Sequence, residues 1–392
     1  MMELWTVKNL RVKNKRVMVR VDYNVPLDEN GDVRDATRIK ASLETLKYLI
    51  KQKPKQIIIV SHLGRPKGEA NKKYSLAPVA EKLSKILKRK VAFVEDCTQE
   101  EMPEDNIVVL ENLRFHQGEK GNDTKFARNL AAKADVYVND AFGTFHRKHT
   151  SVDKITNYLP SCAGLLVEKE LKAINMAVSD VKKPYVALIG AAKIADKIEI
   201  VKSLLKKVDK LLLSGAIVFT FMKAKGLETG KSMVEDDMVP VAKKMLKEFP
   251  QKIVLPFDFI VTNNADNPSR IERALVDKMP RSKKGVDIGP ETIGAFKVYL
   301  KDAKTIVWNG PVGLFEVKPF DHGTNELARF MSKLDSRTIV GGGDTAGAIN
   351  DTGLSDNFTH VSTGGGAFLE ALTGKTLPGE SALKRSRKKF SK

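Results

Sequence analysis

Arginines follow the ends of successive apolar runs in the first half of this 392-residue chain. The basic residues at these endings are Arg38, Arg65, Arg114 and Arg147, with His62 beside them in sequence order. Guanidinium groups match the geometry of phosphate and carboxylate oxygens. Any one of these arginines reads equally well as an ordinary surface residue. Four at successive strand ends instead predict a pocket for a small ligand that carries several negative charges.

Glycines occupy the corresponding positions in the second half. The endings there are Gly190-Ala191-Ala192-Lys193, Ser214-Gly215-Ala216, Asn309-Gly310-Pro311-Val312-Gly313, Gly341-Gly342-Gly343-Asp344-Thr345 and Ser362-Thr363-Gly364-Gly365-Gly366. Glycine lets the backbone approach a ligand closely, and the N–H groups at a helix N-terminus attract phosphate. This half is therefore predicted to bind a nucleotide.

The elements that must position these endings are apolar strands that alternate with amphipathic helices. Strands are predicted over residues 16–25, 56–63, 90–96, 106–112, 135–142, 184–191, 210–215, 252–260, 305–310, 337–343 and 360–365. Continuous apolar strands separated by helices predict an α/β fold with two doubly wound parallel-sheet domains. The stretch 165–184 reads as a helix joining them, with Glu168, Lys169, Glu170 and Lys172 on its solvent side. Ligands of such sheets gather at the carboxyl ends of the strands.

Two glycine motifs suggest other nucleotide folds. Gly341, Gly343 and Ala346 satisfy the dinucleotide fingerprint, but the acidic residue expected roughly 20 positions later at the end of a second strand is missing, since Asp356 is too near. The stretch GLETGKS at 226–232 resembles a phosphate-binding loop, but its glycines are one residue too close and no strand precedes it. We interpret both matches as coincidental.

The chain carries 67 Lys and Arg against 48 Asp and Glu, a formal net charge of +19. Such a surplus attracts polyanions. The lysines, however, are scattered along the polar faces of predicted helices, and the dense run is the terminal KRSRKKFSK. We therefore expect nucleic-acid binding to be non-specific at most. We also expect deletion of residues 384–392 to leave activity intact.

Cysteine content and the length of the apolar segments argue against a closed zinc site, a membrane-spanning segment and a signal peptide. Cys97 and Cys162 are too few for a closed zinc site and are predicted to be buried. The uncharged apolar stretch 211–222 is shorter than the roughly 20 residues that span a bilayer. The N-terminus has no apolar core typical of a signal peptide. These features predict a cytoplasmic protein without a membrane partner.

Ten segments in order resemble the phosphoglycerate kinase family and cover almost the whole chain. They are RVDYNVP (20–26), SHLGRP (61–66), LENLRF (110–115), NDAFGTFHR (139–147), GAAKIADKI (190–198), LPFDF (255–259), DIGPET (287–292), WNGPVGLFE (308–316), GGGDT (341–345) and STGGGAFLE (362–370). The resemblance implies reversible transfer of a phosphoryl group between ATP and the carboxylate of 3-phosphoglycerate. The products are ADP and 1,3-bisphosphoglycerate.

The resemblance also assigns roles to residues. Those implied to bind 3-phosphoglycerate or its bisphosphate are Asp22, Tyr23, Asn24, Arg38, His62, Leu63, Gly64, Arg65, Arg114 and Arg147. Those implied to bind the nucleotide are Lys197, Glu316, Gly342, Gly343, Asp344 and Thr345. Asp344 is also the implied anchor of Mg²⁺, which binds with ATP or ADP. Arg38 and Lys193 are implied to act on the phosphoryl group during transfer.

The implied architecture is a pair of Rossmann-like domains in a monomer. Residues 1–170 would bind 3-phosphoglycerate, 171–183 would form a hinge helix, and 184–370 would bind nucleotide. Residues 371–392 would pack back on the first domain and end in a basic tail. Because the half-sites lie on separate domains, closure should accompany turnover. A catalytically silent anion-binding scaffold with the same fold remains an alternative.

Two positions depart from the family pattern. Ala191 and Ser214 stand where glycines are usual. If either backbone requires a positive φ or contacts the nucleotide, the added Cβ would weaken binding.

Overall fold

The computed structural model describes residues 4–266, 268 and 270–391. These residues divide into two compact units, 4–171 with 376–391, and 172–375. The chain therefore leaves the first unit once and returns to it near its end. The segments predicted over 1–170 and 371–392 include residues 1–3 and 392, which lie outside the described residues.

The first unit contains a six-stranded sheet. Its strands are β1 (Arg16–Val21), β2 (Gln56–Val60), β3 (Ala92–Val94), β4 (Ile107–Leu110), β5 (Val136–Asp140) and β6 (Ser161–Ala163), in the order β3-β4-β2-β1-β5-β6. All neighbouring pairs are parallel. The valine and isoleucine side chains of β1, β2 and β4 are buried, as expected for a sheet covered on both faces.

Helices cover this sheet. They are α1 (Thr37–Ala41), α2 (Leu43–Lys51), α3 (Ala77–Leu87), α4 (Gln117–Lys120) and α5 (Thr124–Ala131), with short 3₁₀ turns at Lys72–Tyr74, Leu113–Phe115, Phe142–Thr144 and Lys154–Asn157. Asp123 caps α5, because its side chain accepts a 2.7 Å hydrogen bond from the N–H of Phe126. The buried faces of α2 and α3 pack in the same hydrophobic core as β1 and β2.

Helix α6 (Leu165–Val178) contains the boundary between the units at residues 171 and 172. It begins earlier and ends earlier than the predicted hinge helix 171–183. The prediction that Glu170 faces solvent is wrong, because Glu170 is fully buried. Ala173 and Ala177 are buried as well and lie on the same helix face, three and seven residues further on.

The second unit contains another six-stranded parallel sheet. Its strands are β7 (Tyr185–Gly190), β8 (Lys210–Ser214), β9 (Ile253–Val254), β13 (Thr305–Asn309), β14 (Arg337–Gly341) and β15 (His360–Val361), in the order β15-β14-β13-β7-β8-β9. The predicted fold class, two doubly wound parallel-sheet domains, is confirmed. Trp308 of β13 is fully buried in the core of this unit.

Strands β10 (Asp258–Thr262), β11 (Ile271–Leu275) and β12 (Lys284–Ile288) form a third sheet, which is antiparallel. The sequence interpretation missed this sheet and also missed β6. It treated 252–260 as one strand, whereas the chain leaves one sheet after β9 and enters another at β10. Pro256 lies in this break and cannot donate a ladder hydrogen bond.

The helices of the second unit are amphipathic or largely buried. They are α7 (Ile198–Leu205), α8 (Ile217–Ala224), α9 (Val239–Glu248), α10 (Pro290–Lys301), α11 (His322–Met331), α12 (Gly343–Asp351) and α13 (Gly366–Leu372), with 3₁₀ turns at Asp236–Met238 and Ser355–Asn357. Among the described residues, none of the helices combines the length and apolar character that crossing a bilayer requires.

The basic C-terminal run belongs to helix α14 (Pro378–Phe390) of the first unit. Ser386 is fully buried, and its hydroxyl accepts from the N–H of Ser161 at 3.0 Å and donates to the carbonyl of Leu159 at 3.1 Å. Arg385 forms a 2.6 Å ion pair with Asp153. The run is therefore an integrated helix and not a loose tail.

Candidate functional site

A cluster of basic side chains lies at the carboxyl ends of the central strands of the first sheet. We call Arg20, Arg38, His62, Arg114 and Arg147 the basic cluster. Its members come from β1, from the connections after β1, β2 and β4, and from the segment after β5. The strand order reverses between β1 and β5. Ligands of doubly wound sheets bind at such a reversal.

His62 is a neutral residue at the centre of this cluster. Burial, reinforced by Arg20, Arg114, Arg147 and Arg38, holds the pKa of His62 well below its usual value. Nη2 of Arg20 lies 3.1 Å from Nδ1 of His62. Because a guanidinium can only donate, Nδ1 accepts this bond and Nε2 carries the proton. His62 can therefore donate a hydrogen bond to an anion without being charged.

Arg38 and Arg114 are held differently. Nη1 of Arg38 donates to a carboxylate oxygen of Asp22 at 2.6 Å. Nη1 of Arg114 donates to the Gly64 carbonyl at 2.7 Å, while its Nε and Nη2 are buried without a hydrogen-bond partner among the described residues. Burial and the charge of Arg147 lower the pKa of Arg114 to about 10, so it stays charged at neutral pH. Two of its donors are thus available for an anion.

Arg147 and Arg65 complete the charged rim. Burial lowers the pKa of Arg147, Asp22 opposes this effect, and Arg65 and Arg20 add to the lowering. Arg65 is exposed. The crowded positive charges favour a multiply charged anion between them.

The neighbouring predicted residues shape the backbone. The side-chain oxygen of Asn24 accepts a 2.8 Å hydrogen bond from the N–H of Gly64, which joins two strand ends. Tyr23 is fully buried, and its hydroxyl lies 2.8 Å from that of Ser42. Leu63 is also buried. The structure therefore places the Tyr23 and Leu63 side chains in the interior, where only their backbone groups can face a ligand.

Arg20 is a functional candidate that the sequence analysis missed. Although it lies in a valine-rich strand, it is fully buried, and its Nε lies 3.0 Å from the Ser151 hydroxyl. Ser151 in turn donates to the buried carboxylate of Glu119 at 2.6 Å. A charged residue in an otherwise apolar strand was the available signal, since such a residue is rarely buried without partners.

The second unit contains a cavity of about 450 Å³ at the carboxyl ends of its sheet. Strand order reverses between β7 and β13, and the strand ends Gly190 and Asn309 line the cavity at this point. The lining includes every residue predicted to bind nucleotide: Lys197, Glu316, Gly342, Gly343, Asp344 and Thr345. The structure therefore brings these residues together. We call this space the glycine cavity.

Hydrogen bonds connect the polar residues of the glycine cavity. Nζ of Lys197 donates to Asn309 at 3.0 Å, and the Asn309 amide donates to the Gly341 carbonyl at 2.6 Å. The hydroxyl of Thr345 accepts from the N–H of Gly310 at 2.7 Å. Burial lowers the pKa of Lys197, whereas Asp196 and Asp344 raise it. The network holds β13 against the first turn of α12.

Gly342 precedes α12 with a φ of 102°, which favours glycine. A Cβ there would lie 2.6 Å from the amide nitrogen of Asn309. Asp344 lies exposed in the first turn of α12, and Glu316 is exposed at the cavity rim. Lys193 is exposed as well, but in the described structure it lies outside the cavity lining, which includes Ala191 and Ala192 just before it.

The departures Ala191 and Ser214 create no backbone strain. Neither belongs to the described non-glycine residues with a positive φ, and the positive φ of this region, 71°, falls on Gly215. Ser214 is buried, and its backbone carbonyl accepts from the N–H of Ala191 at 3.3 Å. The added Cβ atoms therefore do not force either residue into a left-handed conformation.

One wall of the glycine cavity is apolar and was not predicted. Phe219, Met233, Phe259 and Leu314 line it, and the two phenylalanine rings pack with centroids 5.0 Å apart. Met233 and Leu314 are exposed large hydrophobic residues. Their positions, far apart in sequence, gave no periodic signal. The cavity thus offers an apolar surface beside a polar, glycine-lined edge.

Comparison with known proteins identifies relatives across the whole chain. The model of the family described as phosphoglycerate kinase matches residues 7–375. A phosphoglycerate kinase of Moorella thermoacetica is 46% identical over 390 residues, covering 96% of this chain and 98% of the relative. A protein of the same name from Aquifex aeolicus is 46% identical over 384 residues, covering 95% of this chain and 96% of the relative.

Solved structures give the same result. Phosphoglycerate kinase from Coxiella burnetii superposes with a TM-score of 0.89 at 38% identity, covering 98% of this chain and 99% of that one. The protein of the same name from Pyrococcus horikoshii superposes with a TM-score of 0.88 at 30% identity, covering 99% and 100%. These similarities extend over both units.

Proposed function

This chain belongs to the phosphoglycerate kinase family, and from that premise we propose which of its residues carry out the reaction. The family transfers a phosphoryl group reversibly between ATP and the carboxylate of 3-phosphoglycerate, a step of glycolysis. The reaction leaves ADP and 1,3-bisphosphoglycerate. The chain is accordingly an enzyme, a phosphotransferase whose acceptor is a carboxyl group.

We assign 3-phosphoglycerate to the basic cluster. The supporting observation is Arg114, which is almost fully buried yet keeps two guanidinium nitrogens without a partner among the described residues. Leaving such donors unpaired is costly, and a phosphate or carboxylate would pair them in a charge-assisted bond. The proposed contacts are Asp22, Asn24, Arg38, His62, Arg65, Arg114 and Arg147, with backbone groups of Tyr23, Leu63 and Gly64.

We assign ATP or ADP to the glycine cavity. The N-terminus of α12, preceded by Gly342, presents N–H groups and a positive dipole end to phosphate. Lys197 adds a positive charge there, and Gly343 and Thr345 continue the phosphate edge. The apolar wall containing Phe219 and Phe259 suits a base ring, and Glu316 at the rim suits ribose hydroxyls. The cavity thus matches the amphipathic character of a nucleotide.

Asp344 fits the role of a Mg²⁺ ligand. It is an exposed carboxylate in the cavity beside the proposed phosphates, and Mg²⁺ binds through one or two carboxylates together with substrate phosphates. The metal would neutralise charge on the phosphates. Lys197, which Asp344 influences electrostatically, would also contact the phosphates.

The chemistry requires alignment and charge stabilisation more than proton transfer. The attacking carboxylate is ionised at neutral pH, so no general base is needed. The phosphoryl group carries negative charge throughout its transfer, and fixed cations stabilise it. We propose that Arg38, held by Asp22, and Lys193 supply these cations.

We further propose that the enzyme acts as a cytoplasmic monomer. Its positive charge would attract nucleic acid without sequence preference, and such binding would weaken steeply with salt. In the basic helix α14, Arg385 and Ser386 are already bonded within the first unit, which supports the absence of sequence preference.

A coupled assay tests the assignment against a catalytically silent scaffold. The purified chain should form 1,3-bisphosphoglycerate from 3-phosphoglycerate only when ATP and Mg²⁺ are both present. A scaffold would bind 3-phosphoglycerate without turnover. Binding of both substrates with no product under these conditions would contradict the proposed roles of Arg38 and Lys193.

A further inference from the structure

Three metal-ligating side chains meet beyond the carboxyl ends of β3 and β4. These two strands lie on the side of the first sheet away from the strand reversal. Asp96 and Cys97 follow β3, and His116 follows the 3₁₀ turn after β4. Because β3 and β4 are parallel neighbours, these segments leave the sheet at the same edge. A ligand atom from each of the three residues lies within 4.8 Å of the other two. We propose that Asp96, Cys97 and His116 form an open binding site for Zn²⁺.

The spacing of the donor atoms is close to what a tetrahedral ion requires. Nε2 of His116 and Oδ1 of Asp96 are 3.3 Å apart. Bonds of about 2.0–2.3 Å at tetrahedral angles place two zinc ligands roughly 3.4 Å from each other. The His116–Asp96 ion pair already has this spacing, and an ion bound at Oδ1 would displace the hydroxyl of Thr98. Binding would require a small rearrangement of the three side chains that closes the widest pair of donor atoms, at most 4.8 Å apart.

The site is anchored yet accessible. Asp96 Oδ1 accepts hydrogen bonds from the N–H and hydroxyl of Thr98 at 2.8 and 2.7 Å, which fixes the turn after β3. The His116 ring stacks on Phe126 with centroids 5.4 Å apart. The side chains of Asp96 and His116 are 52% and 32% exposed, so an ion can enter from solvent. Cys97 provides the buried inner ligand.

The charges around Cys97 favour a cation. The carboxylates of Asp96, Glu119 and Glu111 lie close enough to Cys97 to act on it electrostatically. Of the charged neighbours, Lys133 is the one that opposes them. This excess of negative charge would attract a divalent ion, which replaces the thiol proton on binding.

The chemistry of the set selects a borderline-soft metal. Thiolate and imidazole ligands suit Zn²⁺, whereas Mg²⁺ prefers oxygen ligands alone. Three protein ligands leave a fourth position for water, in contrast to the closed clusters that require four Cys or His ligands. Because Cys97 is the one cysteine in this set, the spacing of cysteines in the sequence does not reveal the site.

Cobalt titration tests the proposal on the full-length protein, freed of metals by a chelator and kept without nucleotide. About one equivalent of Co²⁺ should produce a near-ultraviolet band from thiolate-to-cobalt charge transfer, and Zn²⁺ should abolish it by displacement. The band should disappear in Cys97→Ala. It should persist in Cys162→Ala, the matched control, because Cys162 is also a free, fully buried cysteine.

A second variant keeps the test decisive if Cys97→Ala folds poorly. His116 is partly exposed, so His116→Gln should fold. Loss of a group that only supports a metal ligand lowers metal affinity by roughly 10-fold. Because His116 is proposed to bind the metal directly, the Co²⁺ affinity of His116→Gln should fall by at least that factor. A wild-type protein without the band, or a band unchanged in Cys97→Ala or in His116→Gln, would overturn the proposal. None of these readouts depends on kinase activity.

Discussion

His62 and Arg114 of the basic cluster each keep one protonation state at neutral pH. Burial and surrounding arginines keep His62 neutral, and Arg114 stays charged with a pKa of about 10. The hydrogen bond from Arg20 fixes the tautomer of His62. The proposed site therefore binds its anion with groups that need not titrate near neutral pH.

The residues of the candidate sites were only partly predictable from the sequence. Asp22, Arg38, His62 and Arg114 follow strand ends, and the structure joins them through direct contacts or shared electrostatics. Arg20 was missed because it lies inside a strand, where the side-chain direction depends on the sheet. The apolar wall of the glycine cavity was missed because its residues come from separate elements.

Residues that act during transfer should differ kinetically from residues that hold the ground state. We predict that Arg38→Ala and Lys193→Ala lower kcat by roughly 10²- to 10³-fold with smaller changes in KM. Arg65→Ala and Arg147→Ala should mainly raise KM for 3-phosphoglycerate. Steady-state kinetics of the four variants provide the measurement. If kcat of both Arg38→Ala and Lys193→Ala stays within a few-fold of wild type, their assignment is wrong.

At the scale of elements, Asp140 connects the end of β5 to the start of α6. Its Oδ1 accepts from the N–H groups of Leu166 and Val167 at 3.0 and 3.4 Å. Gly164 allows this approach, because a Cβ there would lie 2.1 Å from Oδ1 of Asp140. Burial raises the pKa of Asp140 to about 7, against hydrogen bonds from Thr45, Val167 and Leu166 that lower it.

This raised pKa makes stability depend on pH. The folded state holds the Asp140 proton more tightly than the unfolded state, so its stabilising contribution is present at low pH and is lost as pH rises through about 7. The loss has a limiting slope of about 1.4 kcal/mol per pH unit. Asp140→Asn removes this dependence and keeps the Oδ1 acceptor. Its stability relative to wild type should therefore increase with pH.

Urea denaturation at about pH 5 and about pH 8 measures this difference for wild type and Asp140→Asn. The variant should gain relative to wild type at the higher pH. A difference in unfolding free energy that is the same at both pH values would show that Asp140 does not titrate in this range.

Helix α14 leads to a prediction about stability, which the sequence-based expectation of intact activity after deletion of residues 384–392 did not address. Deleting residues 384–392 removes the hydroxyl of Ser386, which is the partner of the buried Ser161 N–H, and also removes the Arg385–Asp153 ion pair. Leaving a buried donor unpaired costs about 1–3 kcal/mol. The thermal midpoint should fall. Lys388→Ala, at an exposed position of the same helix, is the control and should leave it unchanged. A truncated protein as stable as wild type would contradict this role for α14.

Most elements were predictable because long apolar runs alternate with amphipathic ones. The exceptions have physical reasons. Strand β6 is short and contains Ser161, Cys162 and Ala163, which lack the bulk typical of strands. In β11, Ile271, Glu272 and Arg273 are exposed, so the strand shows no buried face in the sequence. A third sheet built from such a strand leaves no periodic signal.

At the scale of the whole molecule, the two proposed half-sites lie in different units of one chain. Reacting atoms must approach within roughly 3–3.5 Å for transfer. We therefore predict that the radius of gyration decreases when 3-phosphoglycerate and nucleotide bind together. Small-angle scattering with neither, one or both substrates measures this. A radius that does not change at saturation with both would argue against closure during turnover.

The order of strands in each sheet could not be read from periodicity, since parallel strands can neighbour one another in many orders. The alternation of strands and helices predicted two doubly wound parallel sheets, and the similarity to solved structures confirms this fold class. We therefore assign one substrate to each unit, because each unit has its own proposed binding surface at a strand reversal.

Calorimetric titration of two variants tests this division most directly. Arg114→Lys loses the planar donors of a buried guanidinium, and Gly342→Ala places a Cβ 2.6 Å from Asn309 at a φ of 102°. With folding verified by circular dichroism, Arg114→Lys should weaken 3-phosphoglycerate binding by roughly ten-fold or more and leave ATP binding unchanged. Gly342→Ala should weaken ATP binding by a comparable factor and leave 3-phosphoglycerate binding unchanged. If either variant impairs the other substrate instead, the assignment of the two sites is wrong.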